Sequence, residues 1–540
     1  MKKKLLIFFL LLSFVKLFSQ VEDAWVYFND KPSETTFTSA PLTMLTQRAL
    51  DRRTRYSIAL DFKDVPVEAS YVLQVKNSVG ITIKARSKWL NALHIQGSEI
   101  DINNLLNFSF VAQIEYANKT LNAGGKYFVK SKELPKNKSL DFTTNFNYGN
   151  GANQIQMLNG DVLHQSNFTG DGMQIAIIDA GFPNVDNFSA FQRLRDNNQI
   201  LGGYDFVNRN TNFYTGYYHG MAVLSTIGAY LDNQFVGTAP DAEFYLFISE
   251  DSANETPLEE SLWVEAAERA DSLGVDVINT SLGYTTFDNP NYNYEYADMD
   301  GQTTFISRGA EIAFSRGMIV VNSAGNSGND AWHYIGAPAD AVSVLSIGAV
   351  DALGTIAGFS SYGPTADSRV KPDVCAQGAD IYIINTVGAI ATSNGTSFSS
   401  PVLTGVVACL WQAFPDKNNT EIIQLVKESA HLFNSPTAQE GYGIPNFEAI
   451  YSLLNIEESE ENIVGISLFP NPTKNTINFT FPTEIDEMEV TVYSLLGKVV
   501  SSKLIYRNKP STDVSFLPNG LYMVQVKYDD TIKTIKLLKN

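Results

Sequence analysis

Four side chains spread over the middle of the chain could together carry out nucleophilic chemistry: Asp179, His219, Asn326 and Ser397. A serine hydroxyl is a poor nucleophile, so it needs a neighbouring base, and a histidine can supply one. A buried aspartate can fix the tautomer of that histidine and stabilise its protonated form. An asparagine amide, together with a backbone N–H, can hold a developing oxyanion. The four residue types predict acyl transfer through a serine if the fold brings them together.

Each of these residues stands where a predicted strand or helix begins or ends. Asp179 follows the apolar run QIAII, and His219 heads the apolar segment HGMAVLSTIGA. Asn326 lies in the glycine-bracketed loop NSAGNSG after MIVV, and Ser397 lies where the loop SNGTS becomes a helix. Taken singly, each has a structural explanation as a turn cap, a packed histidine, a turn-forming asparagine or a helix cap. The combination at element ends favours the chemical interpretation.

Ser397 has rivals in its own segment, SNGTSFSSPVLTG. A helix N-terminus presents unpaired N–H groups and the positive end of the helix dipole, which suits a serine that must stabilise an oxyanion. Ser399 and Ser400 are expected inside the helix with Pro401, and Ser393 lies before it. Among the other histidines, His164 and His333 are placed in polar, loop-like contexts. The sequence therefore favours Ser397 and His219.

The elements that must position these residues alternate between apolar strands and helices from about residue 150 to 455. Near-continuously apolar runs such as MQIAII, EFYLFIS, VDVINTSL, MIVVNSA and SVLSIGAV are typical of strands buried on both faces. Helical patterns lie between them, and two of these, LEESLWVEAAERADSLG and FISRGAEIAFSRG, end in glycine. The alternation predicts a doubly wound, mainly parallel α/β sheet, whose sites form at the carboxyl ends of the strands.

The remaining segments predict an exported chain of several parts. Residues 1–19 have a basic start and a short apolar core, which predicts a signal peptide cleaved near Ser19 and Gln20. Residues 20–120 predict a small α+β domain, and 121–149 a linker or processing region with five lysines from Lys126 to Lys138. The catalytic α/β domain is assigned to 150–455, a linker to 456–465, and a small all-β sandwich to 466–540. No other segment reaches the length of a membrane span, so none is expected.

Composition narrows the possible partners. The formal net charge of −19 over 540 residues argues against a nucleic-acid partner. An apolar fraction of 44% with 18% charged residues is enough for a large core. The two cysteines, Cys375 and Cys409, lie in apolar segments without CxxC spacing. They are expected to be small buried side chains rather than a disulfide or zinc site.

The sequence blocks around these residues resemble the subtilisin-like serine proteases (peptidase S8 or subtilase family). The matching blocks are IAIIDAGF, HGMAVLSTI, SAGNSG and NGTSFSSP, in the family's order, with FSSYGPTADSRVKPDVCAQG and GYGIPNFEAI as framework segments. The resemblance implies a secreted endopeptidase that forms an acyl-enzyme on Ser397, with Asp179 and His219 completing the triad and Asn326 as oxyanion donor. It implies a polypeptide substrate and no required cofactor.

The resemblance also implies two substrate-binding segments. Ser281, Leu282 and Gly283 would border the substrate strand, and Ser323, Ala324 and Gly325 would wall the pocket for the residue before the scissile bond.

Two residues depart from the family pattern, and one loop has a role that the pattern does not define. Met221 stands two residues after His219, where Thr or Ser is usual, and Ala180 stands after Asp179, where Thr or Ser is common. A Tyr- and Asn-rich loop at 284–305 is expected to shape the cleft. A structural calcium ion on its acids is left as an alternative to a solvated loop; these acids are Asp288, Glu295, Asp298 and Asp300.

The flanking domains carry resemblances of their own. By its placement, the N-terminal domain resembles the propeptide of secreted subtilases, which implies an intramolecular inhibitor and folding aid. The C-terminal domain resembles the sorting domain of the bacterial type IX secretion system in LFPNPTKNTINFTF, VTVYSLLGKVV, LPNGLYMVQV and TIKLLKN. This implies contact with the secretion machinery, passage across the outer membrane, and then surface anchoring or release. An adhesive β-sandwich is the structural alternative.

Two other functions remain as hypotheses. Ser397, Asp416 and His431 occur in the order used by α/β-hydrolase esterases, but that fold needs G-x-S-x-G, and Ser399 stands at the fifth position. A catalytically degenerate subtilase domain that acts as a surface binding module is the second hypothesis. The presence of all four chemical side chains argues against it.

Overall fold

The computed structural model describes residues 21–122, 146–459, 466–481, 485–494, 498–528 and 531–539. The strands are β1 (Val21–Phe28), β2 (Thr82–Ser87), β3 (Ala92–Ser98), β4 (Val111–Tyr116), β5 (Gln174–Asp179), β6 (Ile200–Asp205), β7 (Tyr230–Leu231), β8 (Phe235–Val236), β9 (Glu243–Ile248), β10 (Val277–Thr280), β11 (Ile319–Ser323), β12 (Leu345–Val350), β13 (Val374–Gln377), β14 (Ile381–Ile384), β15 (Ile390–Ser393), β16 (Leu468–Phe469), β17 (Thr476–Phe479), β18 (Glu487–Ser494), β19 (Val499–Tyr506), β20 (Ser511–Asp513), β21 (Gly520–Tyr528) and β22 (Thr531–Lys539).

The helices are α1 (Glu34–Thr38), α2 (Gln47–Arg55), α3 (Ala69–Lys76), α4 (Glu99–Asn104), α5 (Ala152–Gln156), α6 (Asp161–Gln165), α7 (Gln192–Asp196), α8 (His219–Gly228), α9 (Pro257–Leu273), α10 (Phe305–Ser315), α11 (Thr396–Ala413), α12 (Asn419–Ser429) and α13 (Phe447–Ser459).

The central sheet has seven strands in the order β13-β12-β11-β10-β5-β9-β6. Every pairing within it is parallel, as the apolar runs in the sequence predicted. The chain enters at β5, forms the edge strand β6, returns to β9 beside β5, and then crosses to β10 on the other side of β5, from which it builds outward to β13. The direction of strand addition therefore changes at β5. In open α/β sheets, ligands bind outside the carboxyl ends of the strands at such a reversal. Asp179 ends β5 and therefore lies at the switch point of the sheet.

The two faces of the central sheet are covered by different helices because side chains alternate along each strand. Ile175 and Ile177 share a buried core with α8 and α11. Ala176 and Ile178 share a second core with α9 and α10 on the other face. The strands are therefore buried on both sides, which explains why their sequences are continuously apolar.

The N-terminal domain is an antiparallel sheet in the order β2-β3-β1-β4. Ala24 and Val26 point into its own core, and Trp25 and Tyr27 point into the core shared with α9 and α10. The Trp25 ring stacks on Phe305 at a centroid distance of 4.9 Å. The domain thus lies on the two helices that cover one face of the central sheet.

Buried charge also joins the N-terminal domain to α9. Arg52 and Arg53 of α2 contact the two oxygens of Asp271 at 2.6 and 2.8 Å, and Arg53 also contacts Asp64 at 2.5 Å. The Asp271 side chain is fully buried. Nearby, Glu268 accepts hydrogen bonds from the Trp89 backbone N–H at 2.9 Å and from the Ser87 hydroxyl at 2.7 Å. The interface is therefore held by paired buried charges as well as apolar packing.

Replacing Asp271 by asparagine is expected to lower the free energy of unfolding by about 3–5 kcal/mol, because Arg52 would stay buried without its counter-charge and Arg53 would keep only Asp64. Urea unfolding should be measured on full-length protein that also carries Ser397→Ala, so that no self-cleavage intervenes. The matched control is Asp367→Asn, because Asp367 pairs with Arg369 and its side chain is 38% exposed. The control should cost less than about 1 kcal/mol. Equal losses for the two variants would contradict the importance of the buried network.

The C-terminal strands form two antiparallel sheets in the orders β16-β17-β20 and β19-β18-β21-β22. Ile477 and Phe479 of the first sheet share one core with Val490 and Val524 of the second. This confirms the predicted all-β domain with two sheets packed face to face.

Several predictions concern segments that the structure leaves undescribed. The signal peptide at 1–19 lies outside the described residues, as do most of the 121–149 processing region and much of the 456–465 linker. Within the described ranges, no helix is long and apolar enough to cross a membrane. Cys375 and Cys409 are both buried free thiols, as predicted.

Candidate active site

The carboxylate of Asp179 and the imidazole of His219 form a direct pair at the switch point of the sheet. His219 Nδ1 lies 2.9 Å from Asp179 Oδ1 and 3.1 Å from Oδ2. Asp179 is 2% exposed, and its Oδ1 also accepts a hydrogen bond from the Ala180 backbone N–H at 2.7 Å. With Nδ1 bonded to the carboxylate, Nε2 of the ring is left for a second partner.

Two glycines allow this pair to form. A Cβ on Gly220 would lie 2.6 Å from the Gly181 carbonyl oxygen and 2.9 Å from Asp179 Cβ. Gly181 itself has φ +150°, and a Cβ there would lie 2.4 Å from the Thr215 carbonyl oxygen. Only glycine therefore lets the first turn of α8 lie against the end of β5, which is what brings His219 to Asp179.

The protonation of His219 is set by opposing effects. Burial lowers the pKa of His219, but the charge and hydrogen bond of Asp179, with a contribution from Glu250, outweigh burial and raise it above 6.5. The side chain of His219 is 25% exposed to solvent. The imidazole therefore binds a proton more readily than an ordinary histidine, as a general base requires.

Ser397 is the second residue of α11 and is half-buried. Its Oγ donates to the Ser281 carbonyl oxygen at 3.3 Å, and its own carbonyl accepts from the Ser281 hydroxyl at 2.8 Å. The ring of the next residue, Phe398, lies 5.7 Å from the His219 ring. The structure thus brings the start of α11 beside His219. The Ser397 hydroxyl itself is bonded to the Ser281 carbonyl oxygen.

Two N–H donors converge beside Ser397 because Gly395 has no side chain. Asn326 Oδ1 accepts hydrogen bonds from the Thr396 backbone N–H at 2.8 Å and from the Thr396 hydroxyl at 3.0 Å. These bonds turn Asn326 Nδ2 toward Gly395. The position that a Cβ on Gly395 would take lies 3.6 Å from Asn326 Nδ2 and 3.7 Å from Ser397 N. The arrangement leaves a small space edged by two donors, which suits an oxyanion.

Both predicted substrate segments lie next to these residues. Ser281–Gly283 follows β10, and Ser323–Gly325 spans the end of β11 and the start of its loop. Asn322 ties them together, since its Nδ2 donates to the Leu282 carbonyl at 3.1 Å and the Ser323 carbonyl at 2.7 Å. Gly325 N also donates to the Thr396 hydroxyl at 3.1 Å. The two segments are therefore adjacent at the carboxyl ends of β10 and β11.

Glu250 is a neighbour of the His219 site that the sequence interpretation missed. It lies two residues beyond the end of β9, the strand next to β5, and it lines the same cavity as His219. Tyr284 donates its hydroxyl hydrogen to Glu250 Oε1 at 2.5 Å. The signal was present in the sequence EFYLFISED, where an acidic residue closely follows a buried strand, as Asp179 does.

The departures from the family pattern leave these contacts in place. Met221 is fully buried in the core beneath α8, and its backbone N–H donates to the Gly181 carbonyl at 3.1 Å. Ala180 binds Asp179 through its backbone N–H rather than a side-chain hydroxyl.

The placement of His164 in a polar loop was wrong. His164 lies in α6 and is completely buried, where its Nδ1 meets the Tyr148 hydroxyl at 2.9 Å and its Nε2 meets the Thr238 carbonyl at 3.0 Å. Burial lowers the pKa of His164 to about 4, so the ring is neutral at ordinary pH. The polar residues next to His164 in the sequence suggested a loop, whereas its hydrogen-bond partners Tyr148 and Thr238 lie far away in the sequence.

The residues of the esterase hypothesis do not come together. Asp416 follows the C-terminal end of α11, whereas Ser397 lies at its start, about 26 Å away for a helix of this length. His431 Nδ1 accepts a hydrogen bond from the Ile444 backbone N–H at 2.9 Å. The structure therefore contradicts a Ser397–His431–Asp416 triad.

The four acids of the 284–305 loop each have protein partners. Asp288 accepts from the Glu255 backbone N–H at 3.1 Å, and Glu295 and Asp298 cap a short helical turn, with Asp298 also paired to Lys119. Asp300 accepts from the Thr303 backbone N–H at 2.7 Å. Across the described ranges, no group of three or more His, Cys, Asp or Glu side chains is arranged to hold a metal ion.

Comparison with known protein families gives three matches along the chain. Residues 23–138 match the Peptidase S8 propeptide domain of Bacteroidota, and residues 170–445 match the subtilase family. Residues 467–540 match the secretion system C-terminal sorting domain. The subtilase match covers more than half of the 540 residues.

Individual relatives agree with the family match. The chain is 29% identical to subtilisin NAT of Bacillus subtilis subsp. natto over 328 residues, which is 59% of this chain and 77% of that relative. It is 26% identical to the thermostable alkaline protease of Halalkalibacterium halodurans over 312 residues, which is 57% of this chain and 74% of that relative. Among solved structures, the MycP3 protease from the type VII (ESX-3) secretion system is 20% identical, with a TM-score of 0.44 over 55% of this chain and 87% of that chain.

A protein with this parallel sheet and these matches is a subtilisin-like serine endopeptidase. More specifically, the chain belongs to the subtilase family, and it carries a propeptide domain before the protease domain. Its C-terminal sorting domain directs type IX secretion to the cell surface or the exterior.

Proposed function

We propose that the protease hydrolyses peptide bonds through an acyl-enzyme on Ser397, with His219 as general base and acid and Asp179 as the residue that orients it. The observation that carries this proposal is the contact of both Asp179 oxygens with His219 Nδ1, at 2.9 and 3.1 Å. This contact fixes the tautomer with a hydrogen on Nδ1, so that Nε2 is free to accept a proton.

The reaction begins when the Ser397 hydroxyl turns from the Ser281 carbonyl to His219 Nε2. His219 takes the proton as Oγ attacks the peptide carbonyl carbon, which gives a tetrahedral oxyanion. The intermediate collapses as His219 gives its proton to the leaving amine, and an ester on Ser397 remains. Water, deprotonated by His219, then attacks the ester carbonyl carbon. The acid is released as the bond to Ser397 Oγ breaks and Oγ takes the proton back from His219. Each step uses protein side chains and water, so we propose that no cofactor takes part.

Asn326 Nδ2 and the Ser397 backbone N–H are proposed to hold the oxyanion. The support is the space at Gly395, whose missing Cβ position lies within 4 Å of both donors. A donor here acts mainly in the transition state, because the charge on the oxygen develops only there.

Replacing Asn326 by leucine should lower kcat by about 10²- to 10³-fold with little change in KM, since an oxyanion donor is lost. Steady-state kinetics on a chromogenic peptide measures both constants. Asn329→Leu is the matched control, because Asn329 is an exposed asparagine of the same loop. A large rise in KM with an unchanged kcat would show that Asn326 binds the substrate rather than the oxyanion.

The substrate is proposed to lie as an extended strand along Ser281–Gly283. Ser323–Gly325 would then wall the pocket for the residue directly before the scissile bond. The support is the adjacency of both segments to Ser397, through the Ser281 carbonyl and the Thr396 hydroxyl.

The N-terminal domain is proposed to inhibit the protease until it is removed. The support is its large apolar and ionic contact with α9 and α10, together with the propeptide match at 23–138. We expect the active form to begin between about residues 120 and 150. Active protein that still starts near Gln20 would contradict this maturation.

Hydrolysis of a denatured protein substrate tests the proposed function as a whole. The purified secreted protein should degrade casein, and a serine-directed sulfonyl fluoride should abolish the activity. Binding of casein without cleavage, in mature protein, would instead support the surface binding module.

A further inference from the structure

A cavity of about 360 Å³, lined in part by Asp179 and His219, opens beside the proposed catalytic residues. One side is formed by Ser281 and Leu282, the segment proposed to border the substrate. The Ser323–Gly325 segment is not part of its lining. The cavity is therefore separate from the pocket proposed for the residue directly before the scissile bond.

The ionisable side chains that line this cavity are acidic, apart from His219 and Tyr217. Besides Asp179, five of the described residues that line it are acidic, and none is lysine or arginine; the five are Glu250, Asp251, Glu255, Glu259 and Asp288. A site walled by one sign of charge attracts ligands of the other sign.

Glu250 is the acid of this group best placed to receive a ligand. Its Oε1 accepts from the Tyr284 hydroxyl at 2.5 Å and from the Ser249 hydroxyl at 3.0 Å. Among the described residues, no donor is bonded to its Oε2. Glu259, by contrast, is 2% exposed and accepts from the backbone N–H groups of Asp251 and Thr256, so it shapes the wall. Burial raises the pKa of Glu250 to about 8, and the charge of Glu255 adds to that rise. A cation placed beside Glu250 would therefore stabilise its ionised form.

The geometry of an extended substrate sets which residue can reach the cavity. Successive side chains of a strand point to opposite faces. If the residue before the scissile bond enters the Ser323–Gly325 pocket, the residue before that one points the other way, toward His219 and the cavity.

The chain itself contains a segment with the complementary charge. Five lysines lie between Lys126 and Lys138, in the connection between the N-terminal domain and the protease domain. The propeptide match ends at residue 138 and the subtilase match begins at 170, so the five lysines lie at the end of the propeptide match, before the protease domain.

We propose that the cavity lined by Glu250 selects a lysine or arginine at the second residue before the scissile bond, and that the lysine-rich connection is the first substrate of this selection. The proposal rests on the proposed function, because it names the substrate class of the same site.

Peptide kinetics tests the proposal directly. Two fluorogenic peptides should differ only at the second residue before the cleaved bond, arginine in one and its neutral isostere citrulline in the other. The mature enzyme should give a kcat/KM ratio of at least about 10 in favour of arginine, because a charge-assisted contact is lost with citrulline. A ratio near 1 would overturn the proposal, whereas failure to cut either peptide would overturn the proposed function instead.

Glu250→Gln should lower the arginine-to-citrulline ratio at least threefold, and Glu250→Gln with Glu255→Gln should bring it close to 1. The ratio is measured within each enzyme, so a change in the His219 step cancels. Glu243→Gln is the matched control, because Glu243 begins β9, about 17 Å along the strand from the end that precedes Glu250. A wild-type ratio in the double variant would overturn the assignment.

The N-terminus of the mature enzyme gives an independent readout. Self-cleavage should occur after residue 127, 131, 133, 137 or 139, each of which follows a lysine and so places it second before the cleaved bond. N-terminal sequencing of freshly matured protein identifies the bond. Maturation at any other bond would show that the lysine-rich connection is not selected in this way.

Discussion

Replacing Ser397 by alanine is expected to reduce kcat by about 10⁶-fold, the loss known for removal of the serine from such a triad. The variant lacks the proposed nucleophile, but the two proposed oxyanion donors and the proposed substrate-binding segments stay in place. Substrate binding should therefore persist while turnover disappears. Because cleavage of the propeptide by the same protein also needs the nucleophile, the purified variant should remain a full-length chain. Peptide kinetics and intact mass measure both results.

Ser393→Ala is the matched control for this prediction. Ser393 is half-buried at the end of β15 and lies four residues before Ser397 in the same serine-rich segment. Its loss should change kcat by less than about twofold, as for a substitution away from the reacting atoms. A variant at Ser397 that still matures and turns over normally, or a control that loses activity, would assign the chemistry to another serine.

Asp179→Asn is expected to lower kcat by about 10⁴-fold, because an asparagine amide would stabilise the wrong tautomer of His219. The substitution should also move the pH profile. In the wild type, Asp179 raises the pKa of His219 above 6.5, so kcat/KM should fall as the pH drops through a value above 6.5. Without that carboxylate, burial dominates and lowers the pKa of His219, so the fall in kcat/KM should move to lower pH.

The control for this second prediction is Asp186→Asn, because Asp186 is an exposed acid seven residues further along the chain. It should leave the pH profile of kcat/KM unchanged. The Asp179→Asn enzyme could instead lose activity while its kcat/KM still falls at the same low pH as in the wild type. That result would show that Asp179 supports the fold rather than the protonation of His219.

The sequence predicted the sheet well because strands buried on both faces are apolar throughout. QIAIID and MIVVNSA have that character, and they form β5 and β11 with neighbouring strands parallel to them. The helices ending at Gly274 and Gly317 were equally visible, since both glycines adopt positive φ at a helix end. Such features depend on local sequence alone, so a single chain can reveal them.

Contacts between distant segments were less predictable. The pairing of Asp179 with His219 needs a glycine at 220, because any Cβ there would meet Asp179 at 2.9 Å. The glycine could be read from the sequence, but the close approach could not. His164 was misplaced for the same reason, since its partners Tyr148 and Thr238 lie 16 and 74 positions away.

Glu250 shows the same limit in the cavity beside His219. Glu250 lies just beyond the carboxyl end of β9, and Asp179 lies at the carboxyl end of β5. Only the order of strands in the sheet makes β5 and β9 neighbours. Its contact with Tyr284 joins two segments 34 positions apart. The charge of the cavity is therefore a property of the folded chain, although each acid is plain in the sequence.

The central claim is that Ser397 is an activated nucleophile, and covalent labelling tests it most directly. Mature protein is treated with a fluorophosphonate probe, digested, and analysed by mass spectrometry. The account predicts one modified peptide, labelled at Ser397, with labelling lost in Ser397→Ala and strongly slowed in Asp179→Asn. Wild-type protein that is labelled no better than Ser397→Ala would contradict it.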